Sequence, residues 1–278
     1  MTNIALTHSD TPATKTASTP LTEPDFERRF GGVRRLYGAE ALDRFQAAHV
    51  CVVGIGGVGS WAAEALARSA VGRITLVDLD MVAESNVNRQ IHALGDEFGK
   101  AKTRAMAERI LAINPACRTE EIEDFVTPDN LDLLLGRGFD FVIVAIDQAR
   151  TKAAMIAWCK RHGVPVVTAG GAGGQIDPTR IEIADLAQTI QDPLLSKVRS
   201  TLRKEYANDG FTRDLKKKFG IPAVFSTEPL RYPESGATCD EPPTLAGLNC
   251  AGYGSSVCVT APFGLFAASA ALRHLAGG

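Results

Sequence analysis

Residues 50–59 read VCVVGIGGVG, and Asp78 follows nineteen positions after the last glycine, at the end of the apolar run ITLV over residues 74–77. The first four residues are a β-branched run broken only by Cys51, and residues 61–69 (WAAEALARS) carry a helical pattern. The stretch therefore reads as a buried strand, a glycine-rich turn and a helix start, followed by a second strand that ends in an acid. Each glycine has a steric reason. Gly54 permits the tight turn, Gly56 lets the backbone approach a phosphate, Gly57 lies between them, and Gly59 lets the helix pack closely on the strand. The helix start offers free N–H groups to an anion, and Asp78 can accept both hydroxyls of a ribose. A glycine turn alone also serves for packing; strand, helix and acid together point to a nucleotide site.

The glycines do not say which nucleotide. The next segment does more. Residues 74–90 read ITLVDLDMVAESNVNRQ, and the pattern Asp-x-Asp-x-Val-x-x-Ser-Asn-x-x-Arg-Gln is far more specific. It is followed by Gly99, Lys100, Ala101 and Lys102, by Asn114-Pro115, and by the strand-like VIVAID ending at Asp147. Attack on the α-phosphorus of ATP builds charge on phosphate oxygens, so it needs placed cations and a metal. Arg89 and Lys102 are the candidate cations, and Asn86 is a neutral donor. Asp147 stands at the strand end where doubly wound sheets bind ligands, with oxygen chemistry suited to Mg²⁺. Taken singly, Lys102 reads as a solvated helix charge, Arg89 as a surface ion pair and Asn86 as a cap.

These blocks, in this order, resemble the MoeB/ThiF/HesA superfamily, relatives of the ubiquitin-activating enzymes, over residues 26–275. The resemblance implies ATP and Mg²⁺ as cofactors, Asp78 on the ribose, Asn86, Arg89 and Lys102 on the phosphates, and Asp147 on the metal. Asp80 and Gln90 join the expected nucleotide contacts, with Arg89, Lys102 and Asp147 as the catalytic set. Further blocks narrow it. RFGGVRRLYG at 29–38, DFVTPDN at 124–130, TAGGAGGQIDP at 168–178, TIQDP at 189–193 and VFSTE at 224–228 together are similar to the tRNA threonylcarbamoyladenosine dehydratases. That resemblance implies adenylation of the threonine carboxylate beside the tRNA anticodon, closure by a carbamoyl nitrogen, release of AMP, and a homodimer. The alternative within the superfamily is activation of a ubiquitin-like or sulfur-carrier protein. A non-catalytic sulfur-trafficking module leaves the phosphate set unexplained, and a nicotinamide dehydrogenase leaves Ser-Asn-x-x-Arg-Gln unexplained.

Two departures matter. The six cysteines are Cys51, Cys117, Cys159, Cys239, Cys250 and Cys258, and no two have the Cys-x-x-Cys spacing that holds zinc in many relatives. No structural zinc is expected. Relatives often extend an arginine into the partner subunit, and Gly32 occupies that position in an ungapped match. Arg29, Arg34 and Arg35 are the available substitutes. Cys239, in the turn-rich SGATCDEPP, is a thiol that carrier-activating relatives would use; here it reads as an incidental cysteine. A cysteine-desulfurase-type sulfur partner is associated with the family, and a monovalent cation near the loop 170–174 is a further expectation.

The chain has 278 residues, 45% of them hydrophobic, and a formal net charge of −2. That suffices for a core and sets no global attraction to nucleic acid, so a basic surface must be local. One segment fits: Lys197, Arg199, Arg203, Lys204, Arg213, Lys216, Lys217 and Lys218 stand against Glu205, Asp209 and Asp214. Val198, Leu202 and Tyr206 recur every four residues, an amphipathic helix whose charges read alone as a solvated face. With the resemblance, Lys197, Arg199, Arg203, Lys204, Lys216, Lys217 and Lys218 become the candidate tRNA contacts.

Residues 1–24 are rich in Thr, Ser, Ala and Pro and read as a disordered tail. No signal peptide or disulfide pattern is visible, so a cytoplasmic setting is expected. Residues 250–272 hold no charge and are long enough to cross a bilayer, but Gly252, Gly254, Pro262 and Gly264 interrupt them. A buried strand followed by a core helix explains them as well. Strands are expected near 50–54, 74–78, 120–123, 141–146, 165–169 and 180–183, with helices near 60–69, 102–113, 129–135 and 151–162. The alternation predicts an α/β fold with a doubly wound, mostly parallel, Rossmann-like sheet. The expected division is a nucleotide-binding domain over 25–180 and a substrate-binding, dimerising extension over 181–278.

Overall fold

The computed structural model describes residues 24–232 and 253–277. Its centre is one seven-stranded sheet: β1 His49–Val53, β2 Arg73–Val77, β3 Arg118–Ile122, β4 Phe141–Val144, β5 Val166–Ala169, β6 Ile181–Asp185 and β7 Pro222–Ser226. The order across it is β3-β2-β1-β4-β5-β7-β6. Every neighbouring pair is parallel except β6 with β7. The sheet thus continues past residue 180 and ends in an antiparallel edge. β7 was not expected. Its PAVFS segment is short, with no periodicity to mark it, and it slots between two strands far earlier in the chain.

Strand β1 shows why the sheet is covered on both sides. Val50 and Val52 point into a core with α3 (Gly59–Arg68), α4 (Lys102–Ile113) and α8 (Val257–Leu275). Cys51 and Val53 point the opposite way, into a core with α5 (Leu131–Leu135), α6 (Ala149–His162) and α7 (Pro193–Glu205). Alternation of period two, with both faces apolar, produces a strand that is buried throughout. Helices α1 (Phe26–Tyr37) and α2 (Ala39–Ala47) precede the sheet. Helix α7 starts before the basic run, because Asp192 caps the amide of Leu195 and Pro193 takes the first helical position.

From Val257 the apolar stretch is one helix with Pro262 inside it, preceded among the described residues by an isolated bridge of Ser255 to Gly173. By length and composition α8 could cross a membrane, with a mean hydropathy of 1.2. It lies instead across α3 and the sheet, burying Val259, Phe263, Ala267 and Ala271. Gly264 makes this possible, since a Cβ there would lie 2.3 Å from the carbonyl oxygen of Val58 and 2.8 Å from the Cβ of Trp61.

The strand order reverses between β1 and β4, and ligands in such sheets bind outside the C-terminal strand ends at that point. Beneath this edge the fold places a charge. Lys152 of α6 is fully buried, and its ammonium donates to the carbonyl oxygen of Ala169 and, at 3.5 Å, to that of Val144. It joins the ends of β4 and β5 without an ion pair among the described residues. Burial pushes its pKa down to about 8, against the attraction of Asp192 and Asp147. The folded chain therefore sheds this proton near pH 8, while the unfolded chain holds it to about 10.5. Across that window the unfolded state binds more protons, so stability rises with pH. Chemical denaturation of wild type and Lys152→Met should show a stability difference that shifts towards wild type by up to about 1.4 kcal/mol per pH unit between those values. The difference should be flat from about pH 6 to 7.5; a flat profile through pH 10 would show that Lys152 stays charged.

Candidate active site

The turn after β1 is held open by backbone geometry. Gly54 has φ +89°, and a Cβ there would lie 2.9 Å from the carbonyl carbon of Ala145. At Gly59 the restriction is absolute: a Cβ would sit 1.7 Å from the carbonyl oxygen of Gly54. Gly56 has open space except for the Gln90 amide nitrogen at 4.0 Å. Among the described residues, no acceptor meets the amides of Gly56, Gly57, Val58 and Gly59. Four adjacent free N–H groups at the start of α3 form an anion seat.

Asp78 lies just past β2 and braces this turn. One carboxylate oxygen accepts from the amide of Ile55 at 2.6 Å, the other from the amide of Asp80 at 2.9 Å. Burial raises its pKa, opposed by Lys102 and these amides. Asp78 is thus both a turn brace and a candidate ribose acceptor.

The cations come from the loop after β2 and from α4. Lys102 is buried at the first position of α4, and its Nζ pairs with the largely exposed Asp80 at 2.7 Å. The isolated reading of Lys102 as a solvated charge fails on this burial. Arg89 has no carboxylate partner among the described residues. Its Nη1 donates to the carbonyl of Ser85 and to Asn88 Oδ1, and its stem lies 3.1 Å from where a Gly57 Cβ would be. Trp61 Nε1 donates to the Arg89 carbonyl at 2.9 Å, fixing the loop to α3. Asn86 is buried, and its Oδ1 accepts from the Ala83 amide, which leaves the NH₂ group as a donor. The turn reading of Asn86 holds, and it leaves the donor role open to the same side chain. Gln90 is buried with its Oε1 unpartnered, and its Nε2 is the atom nearest to where a Gly56 Cβ would be.

Asp147 follows β4 by three residues, half-buried and with no ion pair among the described residues. Ala145 ties its loop to β1 by donating to the carbonyl of Val53. The expected residues therefore collect from four segments around one strand edge. The sequence missed Lys152 beneath that edge, since a lysine within an apolar helical pattern gives no sign of burial. It also missed His92, buried with both ring nitrogens unpartnered and its pKa pushed down to about 4 by burial, Lys102 and Arg109.

The basic segment forms a second feature. Ser196, Arg199, Ser200, Arg203, Lys204 and Arg213 line an open cavity of about 440 Å³ on α7. Arg199 is half-buried and donates to Thr189 Oγ1, with its pKa lowered by burial and by Arg203. Arg203 lies over the Phe219 ring at 5.0 Å. Lys197, Lys216, Lys217 and Lys218 are exposed. Of the three candidate arginines on the lead-in helix α1, Arg29 donates to the carbonyls of Ala112 and Ile113 and Arg34 pairs with Glu27 at 2.9 Å. Cys51, Cys117 and Cys159 are buried thiols with pKa values raised by burial. Cys239 and Cys250 lie outside the described residues.

Residues 30–278 match the ThiF family. The chain is 54% identical over 255 residues to the tRNA threonylcarbamoyladenosine dehydratase of Escherichia coli, covering 90% of this chain and 94% of that protein. The Haemophilus influenzae dehydratase is 52% identical over 252 residues, with the same coverage of both. The chain belongs to the ThiF family, on its tRNA threonylcarbamoyladenosine dehydratase branch. The crystal structure of the E. coli dehydratase in complex with ATP superposes on this ThiF-family fold with a TM-score of 0.80 at 52% identity, covering 90% of this chain and 94% of that one. Its complex with AMP gives the same TM-score at 53% identity.

Arg89→Ala or Lys102→Ala should lower turnover by about two orders of magnitude, the usual cost of one charge-stabilising group. Melting temperature should move by no more than about 2 °C, since both head groups contact only polar neighbours. A variant that unfolds marks its residue as structural.

Proposed function

We propose that this ThiF-family protein is an ATP-dependent enzyme that cyclises threonylcarbamoyladenosine in tRNA by net loss of water. The observation that carries the reading is the glycine turn with its four free amides, beside which the Arg89 stem lies 3.1 Å from the position of a Gly57 Cβ, and Asp78, which braces the turn at Ile55 and feels the charge of the buried Lys102. The threonine carboxylate attacks the α-phosphorus of ATP, and the bond to pyrophosphate breaks. The free amides and both cations face the charge that develops on the phosphate oxygens. The base-side ureido nitrogen then attacks the carboxyl carbon; the C–O bond to AMP breaks and the nitrogen loses its proton.

Asp147 has the oxygen donors that Mg²⁺ takes, and the phosphates would complete its shell. Such an ion would neutralise charge on the departing pyrophosphate. Lys102 sits where it can exchange its Asp80 partner for phosphate, an exchange favoured by the higher negative charge. The arginine-lined cavity on α7 supports tRNA backbone contact, because Asp209, an acid of that stretch, is already paired with Arg161 at 2.8 Å. The exposed Leu265 and Phe266 of α8 support a homodimer, and of Arg29, Arg34 and Arg35 it is Arg35 that has no hydrogen-bond or ion-pair partner among the described residues. Packing of α8 against α3 supports a core role for that helix and a cytoplasmic enzyme.

The test is mass analysis of nucleosides after incubating the protein, ATP and Mg²⁺ with tRNA carrying linear threonylcarbamoyladenosine. The expected result is loss of one water, dependent on ATP. No mass change, with pyrophosphate exchange appearing only on addition of a small carrier protein, would move the assignment to carrier-protein activation.

A further inference from the structure

The loop after β5 is pinned along its length. Gly171 donates to Asp192 Oδ2 at 2.9 Å, Gly174 to the Gly254 carbonyl at 2.8 Å, and Ile176 and Asp177 both donate to Glu228 Oε2. One side chain inside this frame is left out. Gln175 is 2% exposed, yet neither its amide nitrogen nor its amide oxygen has a partner. Buried carboxamides are almost always hydrogen-bonded, so a fully orphaned one points to a missing polar group.

Gln175 lines a cavity of about 30 Å³ with Gly171, Gly173, Asp192, Leu230 and Tyr253. That volume takes one small polar group. Asp192 is already engaged, accepting from Leu195 and Gly171. The unsatisfied hydrogen-bonding capacity of the cavity therefore belongs to Gln175, and the other walls are the two glycines, Pro193, Leu194, Leu230 and Tyr253.

A chain of contacts leads from the cavity wall to Arg89. Gly173 bridges to Ser255, Asn88 Nδ2 donates to the Ser255 carbonyl at 2.9 Å, and Arg89 Nη1 donates to Asn88 Oδ1. β5, whose end starts this loop, lies beside β4, whose end leads to Asp147. Neighbouring strands are about 4.8 Å apart.

A carboxamide presents an N–H and a C=O side by side. It pairs bidentately with a group that presents C=O and N–H on one edge. In threonylcarbamoyladenosine, the threonine carboxylate and the ureido group share one carbon. Closure of a five-membered ring requires that carbon to lie syn to the base-side nitrogen about the ureido C–N bond. This rotation places the threonyl-side N–H syn to the ureido C=O. In the extended rotamer the two point to different edges.

Resting on the reaction proposed above, we infer that Gln175 binds the ureido group of the substrate and selects its ring-closing rotamer. Its NH₂ donates to the ureido C=O and its C=O accepts the threonyl-side N–H. The base-side nitrogen remains free, held near the activated carboxyl carbon, and that orientation is its contribution to rate. Gln175 is a positioning and specificity residue that acts after adenylation.

The test uses full-length Gln175→Leu and the isosteric Gln175→Glu, with tRNA carrying linear threonylcarbamoyladenosine. AMP and cyclic nucleoside are counted separately. Wild type should form one AMP per cyclised nucleoside. Both variants should keep the ATP KM within about twofold and lose cyclisation by about 100-fold. AMP per cyclic product should rise well above one, as adenylate hydrolyses to the linear nucleoside. Variants with wild-type rate and stoichiometry would overturn the assignment. So would loss of ATP binding in Gln175→Glu, which marks a structural role. A wild-type protein that forms no cyclic nucleoside rejects the parent reaction instead.

Discussion

The contact between the carbonyl oxygen of Gly54 and the α-carbon of Gly59 governs the rest of the molecule. With 1.7 Å left for a Cβ, α3 can sit on β1 only if residue 59 has no side chain. That approach leaves the first amides of α3 unpaired at the end of the sheet among the described residues. It also sets the plane on which α8 lies, where Gly264 repeats the same device against Val58. Two close approaches, each bought by the absence of a methyl, stack sheet, α3 and α8. The unpaired amides and the core packing come from the same backbone geometry.

Charges are then distributed by how deeply each is held. Lys102 is buried but has a carboxylate in Asp80, a partner that is itself largely exposed. Arg89 is half-exposed and held by neutral acceptors alone. Lys152 is deeper still, satisfied by strand carbonyls rather than by a carboxylate. Glu64, buried between α3 and α4, is paired by both Arg68 and Arg109 at 2.7 and 2.6 Å. A buried carboxylate with two guanidinium partners holds those helices in register, and losing one partner leaves a costly charge. Glu64 is paired by two arginines and Lys152 is satisfied by carbonyls, whereas Lys102 and Arg89 keep partners that are exposed or neutral.

Much of this was legible in the sequence, for identifiable reasons. The β1–turn–α3 unit announces itself because its glycines are required by sterics and its strands by unbroken apolar runs. Asn86, Arg89 and Lys102 were legible only as an ordered set, since each alone resembles a surface residue. β7 was not, because its place is decided by pairing with β5 and β6 rather than by its own pattern. The depth of Lys152 and Gln175 was likewise hidden. Gln175 sits in the quoted block TAGGAGGQIDP, but its missing partners are visible only once Glu228, Gly254 and Asp192 have claimed the surrounding backbone.

The claim on which the account stands is that the substrate carboxylate becomes bonded to the α-phosphorus. Threonylcarbamoyladenosine labelled with ¹⁸O in both carboxylate oxygens, presented in tRNA with unlabelled ATP, tests it directly by mass analysis of the nucleotide formed. The account predicts AMP carrying one ¹⁸O and a cyclic nucleoside retaining one. Unlabelled AMP, or ADP with labelled phosphate, would contradict it.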